Sequence, residues 1–483
     1  MRKPGSGVLP PGPPLPGWAQ AALLLIFAPR FVAVCRRRYG SVFTLRIPSM
    51  GTLVYLADPD DIKAVFAGNP SIFHAGEANS MLSGLVGENS VLVLDEDVHR
   101  DRRRLLMAPF HRDAVARQAA MIAEIAAANI AEWPVDTEFA VAPKMSQITL
   151  DVILQTMIGA SDPARLAALR KLLPRLLKLG PWASLAVAKP SLQRHRPWRG
   201  LARRLQQADR LLYAEIAEHR ADPGLAERND LLAMLITATD GQGRTMTDGE
   251  LRDQLMTLLV AGHDTTATSL SWALERLTRH PAVLATAVRA AEASAAGDRA
   301  GDDYLDAVAK ETLRVRPVVF DVGRVLTQTV ELAGYQLPAG VVVVPGITLV
   351  HTSAEHYPRP ERFDPDRMLG AALSPTTWLP FGGGNRRCLG ATFAMVEMRV
   401  VLREVLLKVE LSTTTAADER QKLKHVTLVP HRGARIRARS WCPTPAAGDR
   451  GATTPGAPQM RSRQKSIDSY RPTTSEPRTL PSA

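Results

Sequence analysis

Ten residues, Phe381 to Gly390, reading Phe-Gly-Gly-Gly-Asn-Arg-Arg-Cys-Leu-Gly, constrain this chain more than any other stretch. Glycine at 382, 383 and 384 removes side chains where a backbone must approach something flat and large, and Gly390 does so again just past the cysteine. Ala391 to Arg399 then reads as the start of an apolar-striped helix, so Cys388 is expected at a helix N-terminus. Unpaired N–H groups and the positive end of the helix dipole lower a thiol pKa there, which predicts a thiolate, the form of sulfur that binds metal.

Composition adds limits. With 45% hydrophobic and 22% charged residues the chain is ordinary globular protein, able to bury a sizeable core. Cys35, Cys388 and Cys442 lie far apart without a Cys-x-x-Cys spacing, which argues against a disulfide framework and against zinc, and predicts a reduced, cytoplasmic protein. The net charge of +12 suits an anionic membrane surface or an acidic protein; with no nucleic-acid motif, nucleic acid is the least favoured partner. No Gly-x-Gly-x-x-Gly follows a strand and no P-loop is present, so no nucleotide site is expected. About 95 residues follow Cys388, roughly half of them tail, fewer than the ~100–150 of an appended domain, so electrons for any redox chemistry are expected from another protein.

Three segments are expected. Residues 1–35 form a proline-rich entry segment and a short apolar helix; Pro29 and Arg30 are expected to end the apolar run Trp18–Ala28 at roughly half of the ~20 residues a bilayer span requires. That predicts no transmembrane anchor, with peripheral membrane contact left open. Residues 36–440 form the catalytic domain, mainly α with a small β region. A strand pair is predicted between Gly40 and Leu56, helices over 112–132, 163–178, 201–220 and 248–279, and strands at Val325–Val330 and Val341–Val344 joined by Pro338-Ala339-Gly340. Gly180-Pro181 and Asp240 to Gly243 break the helical stretches. Residues 441–483, rich in Pro, Gly, Ser, Thr and Arg, are expected to be a disordered tail.

The pattern Phe381-x-x-Gly384-x-Arg386-x-Cys388-x-Gly390 resembles the haem-thiolate signature of the cytochrome P450 superfamily at every defined position. Three distant segments extend the resemblance. Ala261-Gly262-His263-Asp264-Thr265-Thr266 is a poor helix interior by propensity, which calls for a functional reason. It resembles the family's oxygen-binding groove, with Gly262 leaving room above the iron and Asp264 and Thr265 as the acid–alcohol pair relaying the protons dioxygen needs. Glu311-Thr312-Leu313-Arg314 and Pro360-Glu361-Arg362-Phe363 are similar to the family's Glu-x-x-Arg helix and its partner arginine, implying a structural Glu311–Arg314–Arg362 cluster behind the haem. His99-x-x-x-Arg103 and Arg324 match further haem-propionate partners, while Arg100, Arg102 and Arg104 read as a solvated basic face.

The resemblance implies a triangular helical prism around a buried haem b, with Cys388 as axial iron ligand, Phe381 near the sulfur and Arg386 on a propionate. Thiolate ligation favours O–O cleavage. The implied activity is monooxygenation: one oxygen atom of O2 enters a lipophilic substrate, with electrons from an acidic ferredoxin and its reductase, docking near Arg387, Arg399 and Arg403. The family's pocket walls map to Met81, Leu82, Leu85, Leu258, Ala261, Val318, Val319, Phe320 and Thr427, mostly apolar. Two other readings stay open. A peroxygenase or hydroperoxide-rearranging enzyme would use the same haem with less need of Asp264 and Thr265, and a non-catalytic haem protein binding gas or ligand would need only the thiolate socket.

Overall fold

In the computed structural model, residues 9–159, 162–177, 181–195, 197–424 and 426–440 are described; Gly180, Cys442 and the expected tail at 441–483 lie outside the described residues. Helices dominate, and the longest, Asp248–Arg279, organises the rest. Thr247 starts it with a capping box: its hydroxyl accepts from the Glu250 N–H, and the Glu250 carboxylate accepts from the Thr247 N–H, an arrangement worth about 1 kcal/mol. Leu251, Leu255, Leu258 and Leu259 of this central helix enter one apolar core with helices Ala142–Ile158 and Arg199–Ala221. Its second half, from Ala267 to Leu277, enters another, shared with helices Arg299–Val315 and Ala391–Lys408. Between the two cores burial lapses. Ala261 is exposed and Val260, Gly262, Asp264 and Thr265 are only partly covered, in a helix buried almost throughout on either side.

The expected strand pair is present as Val42–Ile47 and Gly51–Leu56, antiparallel. A five-stranded sheet continues from it through Val342–Pro345, Arg324–Leu326 and Phe73–His74, with Gly51–Leu56 and Val342–Pro345 parallel. The single strand predicted at Val325–Val330 is two. Arg324–Leu326 joins the sheet, and Val330–Leu332 turns back on Tyr335–Leu337 through Ala333 and Gly334, both at positive φ. The helix predicted at 112–132 is also divided, into Arg112–Ala116 and Ala119–Ile130.

The entry segment departs from expectation at its helix. Pro10 and Pro11 offer carbonyls to the Thr44 hydroxyl and N–H, so the proline run lies along the first strand. Pro29 kinks the apolar segment instead of ending it: Gly17–Tyr39 is two helical stretches joined across non-helical φ/ψ at Phe27, where the proline ring displaces the preceding turn. Its length and composition suffice for a bilayer span, but Phe31, Val32 and Cys35 are buried against Phe43, Tyr55 and Val344 of the sheet.

Candidate active site

The loop Phe381–Cys388 is closed by the Cys388 N–H donating to the Phe381 carbonyl at 2.9 Å, and Phe381 meets Trp378 edge-on with centroids 5.8 Å apart. The glycines serve this loop differently from expectation. A Cβ on Gly383 would lie 2.3 Å from the Phe66 ring, and one on Gly384, at φ +65°, would lie 2.0 Å from the Phe66 carbonyl oxygen. Protein packing against Phe66 therefore accounts for both glycines, with Gly384 at a left-handed turn. Gly390 is different: a Cβ there would meet no protein atom within 4 Å. Cys388 is accessible to solvent although protein surrounds it densely, so its sulfur faces an internal space. Burial holds its thiol above the ordinary value, outweighing the Gly390 N–H and the charges of Arg103 and Arg387, which pull it down. The groups expected to favour a thiolate are present, but in the protein alone burial outweighs them.

Beside the loop lies a group of cations with too few anions. Arg386 donates to Asp95 Oδ1 at 2.5 Å and to the Leu94 carbonyl at 2.6 Å, and Arg103 donates to the Arg387 carbonyl at 2.7 Å. Arg324 opens its strand as expected and stands over the Phe66 ring. Burial, then the neighbouring Arg386, brings Arg324 down to about 10. Arg386 falls to about 10 as well, by burial and by Arg103, although Asp95 opposes the shift. His99 is buried and pushed down to about 3 by burial and by Arg386, Arg103 and Arg324, so it is neutral. These four residues come together as expected. The shifts record desolvated, mutually repelling positive charge that anionic groups would relieve. Arg102 departs from the solvated reading: it is buried and bonds Glu250 of the central helix. Arg399 and Arg403 are matched by Asp302, Asp306 and Glu404, leaving Arg387 the exposed member of the expected docking set.

At the uncovered stretch of the central helix, the Thr265 hydroxyl donates to the Ala261 carbonyl at 2.7 Å, as threonine does within a helix. Asp264 accepts from Lys424 Nζ at 3.1 Å; Lys424 lies on the hairpin of Gln421–Lys424 and Thr427–Pro430. At Gly262 the Cβ position lies 3.2 Å from Ile153, so the missing side chain lets the helix close on Ala142–Ile158. His263 turns the same way. It bonds the Thr149 and Ser146 hydroxyls at 3.1 and 3.3 Å and is held down to about 4 by burial. Leu389, next to Cys388, packs against the same apolar cluster that holds Leu258 and Leu259 of the central helix. Glu397, on the helix after Cys388, is buried; burial raises its pKa well above the usual carboxylate value, against the opposing bond to Thr266 of the central helix.

Glu311 and Arg314 form the expected pair, two parallel bonds of 2.8 and 2.7 Å with both side chains fully buried. The third member is not Arg362. That side chain is 54% exposed and comes no nearer to a carboxylate than 3.9 Å, to Asp364. Arg367 takes the place, donating to Glu311 Oε1 at 3.1 Å, where the Asp364 N–H also donates at 3.0 Å. Arg362 contributes only its carbonyl, to Arg314. Arg314 also holds the His351 carbonyl, and the His351 Nε2 accepts from the Leu379 N–H at 2.9 Å, so the cluster grips the segment that leads into the cysteine loop.

The expected pocket residues fall into groups. Leu82, Leu85 and Leu258 share one cluster. Phe320 joins Leu428 and Ala28, Val319 packs on the sheet core, and Val318 accepts from the Leu428 N–H at 2.7 Å. Met81 and Ala261 are exposed. Thr427 is buried with its hydroxyl bonded to the Lys424 carbonyl, so it closes the hairpin. Lys424, Arg367, Glu397 and Asp95 were not anticipated; each sits among other charges in sequence, and only its partner in space singles it out.

An accessible sulfur at the head of a helix, desolvated cations beside it and an acid–alcohol pair on a long central helix define a haem-thiolate oxygen-activating protein. The comparisons agree. The family model for cytochrome P450 matches residues 10–436, and the chain belongs to that family. A Mycobacterium tuberculosis protein named cytochrome P450 135B1 is 71% identical over 94% of this chain and 96% of its own, and that organism's cytochrome P450 135A1 is 40% identical over 89% and 95%. Among solved structures, retinoic acid-bound cyanobacterial CYP120A1 superposes with a TM-score of 0.76 at 24% identity, covering 90% of this chain and 99% of its own. The haem domain of cytochrome P450DA gives 0.75 at 23%, covering 90% and 97%. The fold is therefore the cytochrome P450 fold, and the family's haem with a cysteine ligand fits the residues present: the sulfur is open, the space beside Gly390 is clear, and the surplus positive charge suits carboxylates.

Proposed function

We propose that this chain is a cytoplasmic haem-thiolate monooxygenase that inserts one oxygen atom of O2 into a lipophilic substrate, with electrons from a separate ferredoxin and reductase. The observation that carries the reading is the accessible sulfur of Cys388, deep in the protein and flanked by under-compensated cations. Cys388 would hold haem b through its sulfur, and Arg103, Arg324, Arg386 and neutral His99 would receive its carboxylates. Bound haem supplies dioxygen activation, aided by electron density from the thiolate. The protein's share is proton control and exclusion of water. Thr265 and Asp264 stand at the uncovered stretch of the central helix, where they would hold and pass protons, and Lys424 bonds the Asp264 carboxylate. The family's pocket walls, mapped to Leu82, Leu85, Leu258, Val318, Val319 and Phe320, are apolar, which supports a lipophilic substrate.

The test is the absorption spectrum of the reduced, carbon-monoxide-bound protein beside that of Cys388→Ser. A strongly red-shifted Soret band lost in the variant supports thiolate ligation by Cys388, and an unshifted wild-type band rejects it. Turnover of lipophilic compounds with NAD(P)H and surrogate redox partners, compared with peroxide alone, then tests the electron route. Product formed from peroxide only would favour a peroxygenase.

A further inference from the structure

Helix Gly17–Tyr39 is apolar on two faces, and only one is used. Leu24, Ala28, Phe31, Val32 and Cys35 face inward, toward the sheet and toward Phe320, Leu423 and Leu428. Trp18, Ala22, Leu25 and Ile26, spaced i, i+4, i+7 and i+8, form a second stripe that points to solvent. Trp18 is 71% exposed, and Leu25 and Ile26 are each 65% exposed. Leu15, before the helix, and Phe27, at its kink, are exposed as well, and Val426, exposed at the tip of the hairpin that packs on this helix, adds to the apolar surface. An apolar stripe of this kind on a soluble face marks an interaction site.

The surrounding charge chooses the occupant. Arg30, Arg37 and Arg38 on the same helix and Arg46 on the neighbouring strand are exposed and carry no ion pair among the described residues. Exposed apolar side chains headed by a tryptophan and bordered by unmatched arginines are the composition of a helix that lies in a lipid interface. A hydrophobic protein partner would not need the unmatched arginines. We propose that the outer face of Gly17–Tyr39 docks this protein on an anionic lipid surface, the helix lying in the interface while its inner face stays on the sheet.

The test uses full-length holoprotein and flotation with two kinds of vesicle, pure phosphatidylcholine and phosphatidylcholine with phosphatidylglycerol. Wild type is expected to float with the anionic vesicles, at least tenfold less at 1 M salt, with a blue shift in fluorescence that is lost in Trp18→Phe. Leu25→Glu/Ile26→Glu should abolish flotation, and Arg30→Gln/Arg37→Gln/Arg38→Gln should remove the preference for anionic vesicles, each with an unchanged carbon-monoxide spectrum as the folding control. Failure of wild type to float, or equal flotation of the Leu25→Glu/Ile26→Glu variant, overturns the proposal. So does carbonate-resistant association, which would mean a spanning helix, or a lipid-indifferent dimer that this variant dissociates, which would mean that a second copy covers the face.

Discussion

Arg362 and Arg367 sit in repeats of one pattern, Pro360-Glu361-Arg362-Phe363 and Pro365-Asp366-Arg367-Met368, and nothing in sequence ranks one above the other. The fold does. Pro365–Met368 is a single tight turn packed against helix Arg299–Val315, which delivers Arg367 to Glu311, while Arg362 looks outward. Arg367→Met should leave the buried Glu311 carboxylate short of a partner and cost ~3–5 kcal/mol, close to the penalty for breaking a buried pair. Arg362→Met should stay within ~0.5 kcal/mol, as surface changes do. Urea unfolding of the two variants measures the difference, and similar midpoints would put the arginine cluster elsewhere.

Among elements, those whose sequence carried its own explanation were legible: the long central helix, the Gly40–Leu56 strand pair and the helix after Cys388 all follow from periodicity and turn residues. What could not be read was which surface each special residue met. Glycines at 383 and 384 signal close approach, yet sequence does not say that Phe66 is what approaches. Gly384→Ala is accordingly expected to destabilise the apoprotein by more than ~2 kcal/mol, through a left-handed φ and a backbone overlap. Gly390→Ala, free of protein neighbours, should leave apoprotein stability unchanged and lower haem retention instead. Thermal melts with and without haem separate the two outcomes. A second element-scale effect is a pH response. His219 of helix Arg199–Ala221 touches Asp230, the cap of Leu231–Thr237; burial alone would lower its pKa, but the bonds to Asp230 and Glu215 raise it to about 9. Because the folded value exceeds the unfolded one, the stabilisation is complete below about pH 6.5 and fades as pH rises through 9. Urea midpoints from pH 6 to 10 should show wild type losing about 1–2 kcal/mol more than His219→Gln, a figure reduced for solvent screening.

At the scale of the molecule, the proposed site lies where burial lapses between the two cores threaded by the central helix, an arrangement that periodicity cannot express because both halves of the helix look alike in sequence. Cys388, Asp264, Thr265 and the Glu311–Arg314 pair were legible as motifs, while Lys424 and Glu397 needed contacts between residues far apart in the chain. Net charge behaves the same way. A total of +12 suggests broad steering of an acidic electron donor, but on the expected docking face Arg399 and Arg403 are already matched by acids, and Arg387 stands exposed. Steering by a mostly compensated face is weaker than the total implies. The rate of reduction by an acidic ferredoxin should therefore fall only about three- to tenfold between 50 and 500 mM salt, well below the steep limit of strongly steered pairs. Stopped-flow reduction under carbon monoxide reads this rate directly. Arg387→Gln should slow it at low salt and flatten the salt dependence, whereas Arg399→Gln, which exposes Asp302 and Asp306 as well as removing a cation, should slow it further. A salt-independent wild-type rate would mean that the donor docks through uncharged surface.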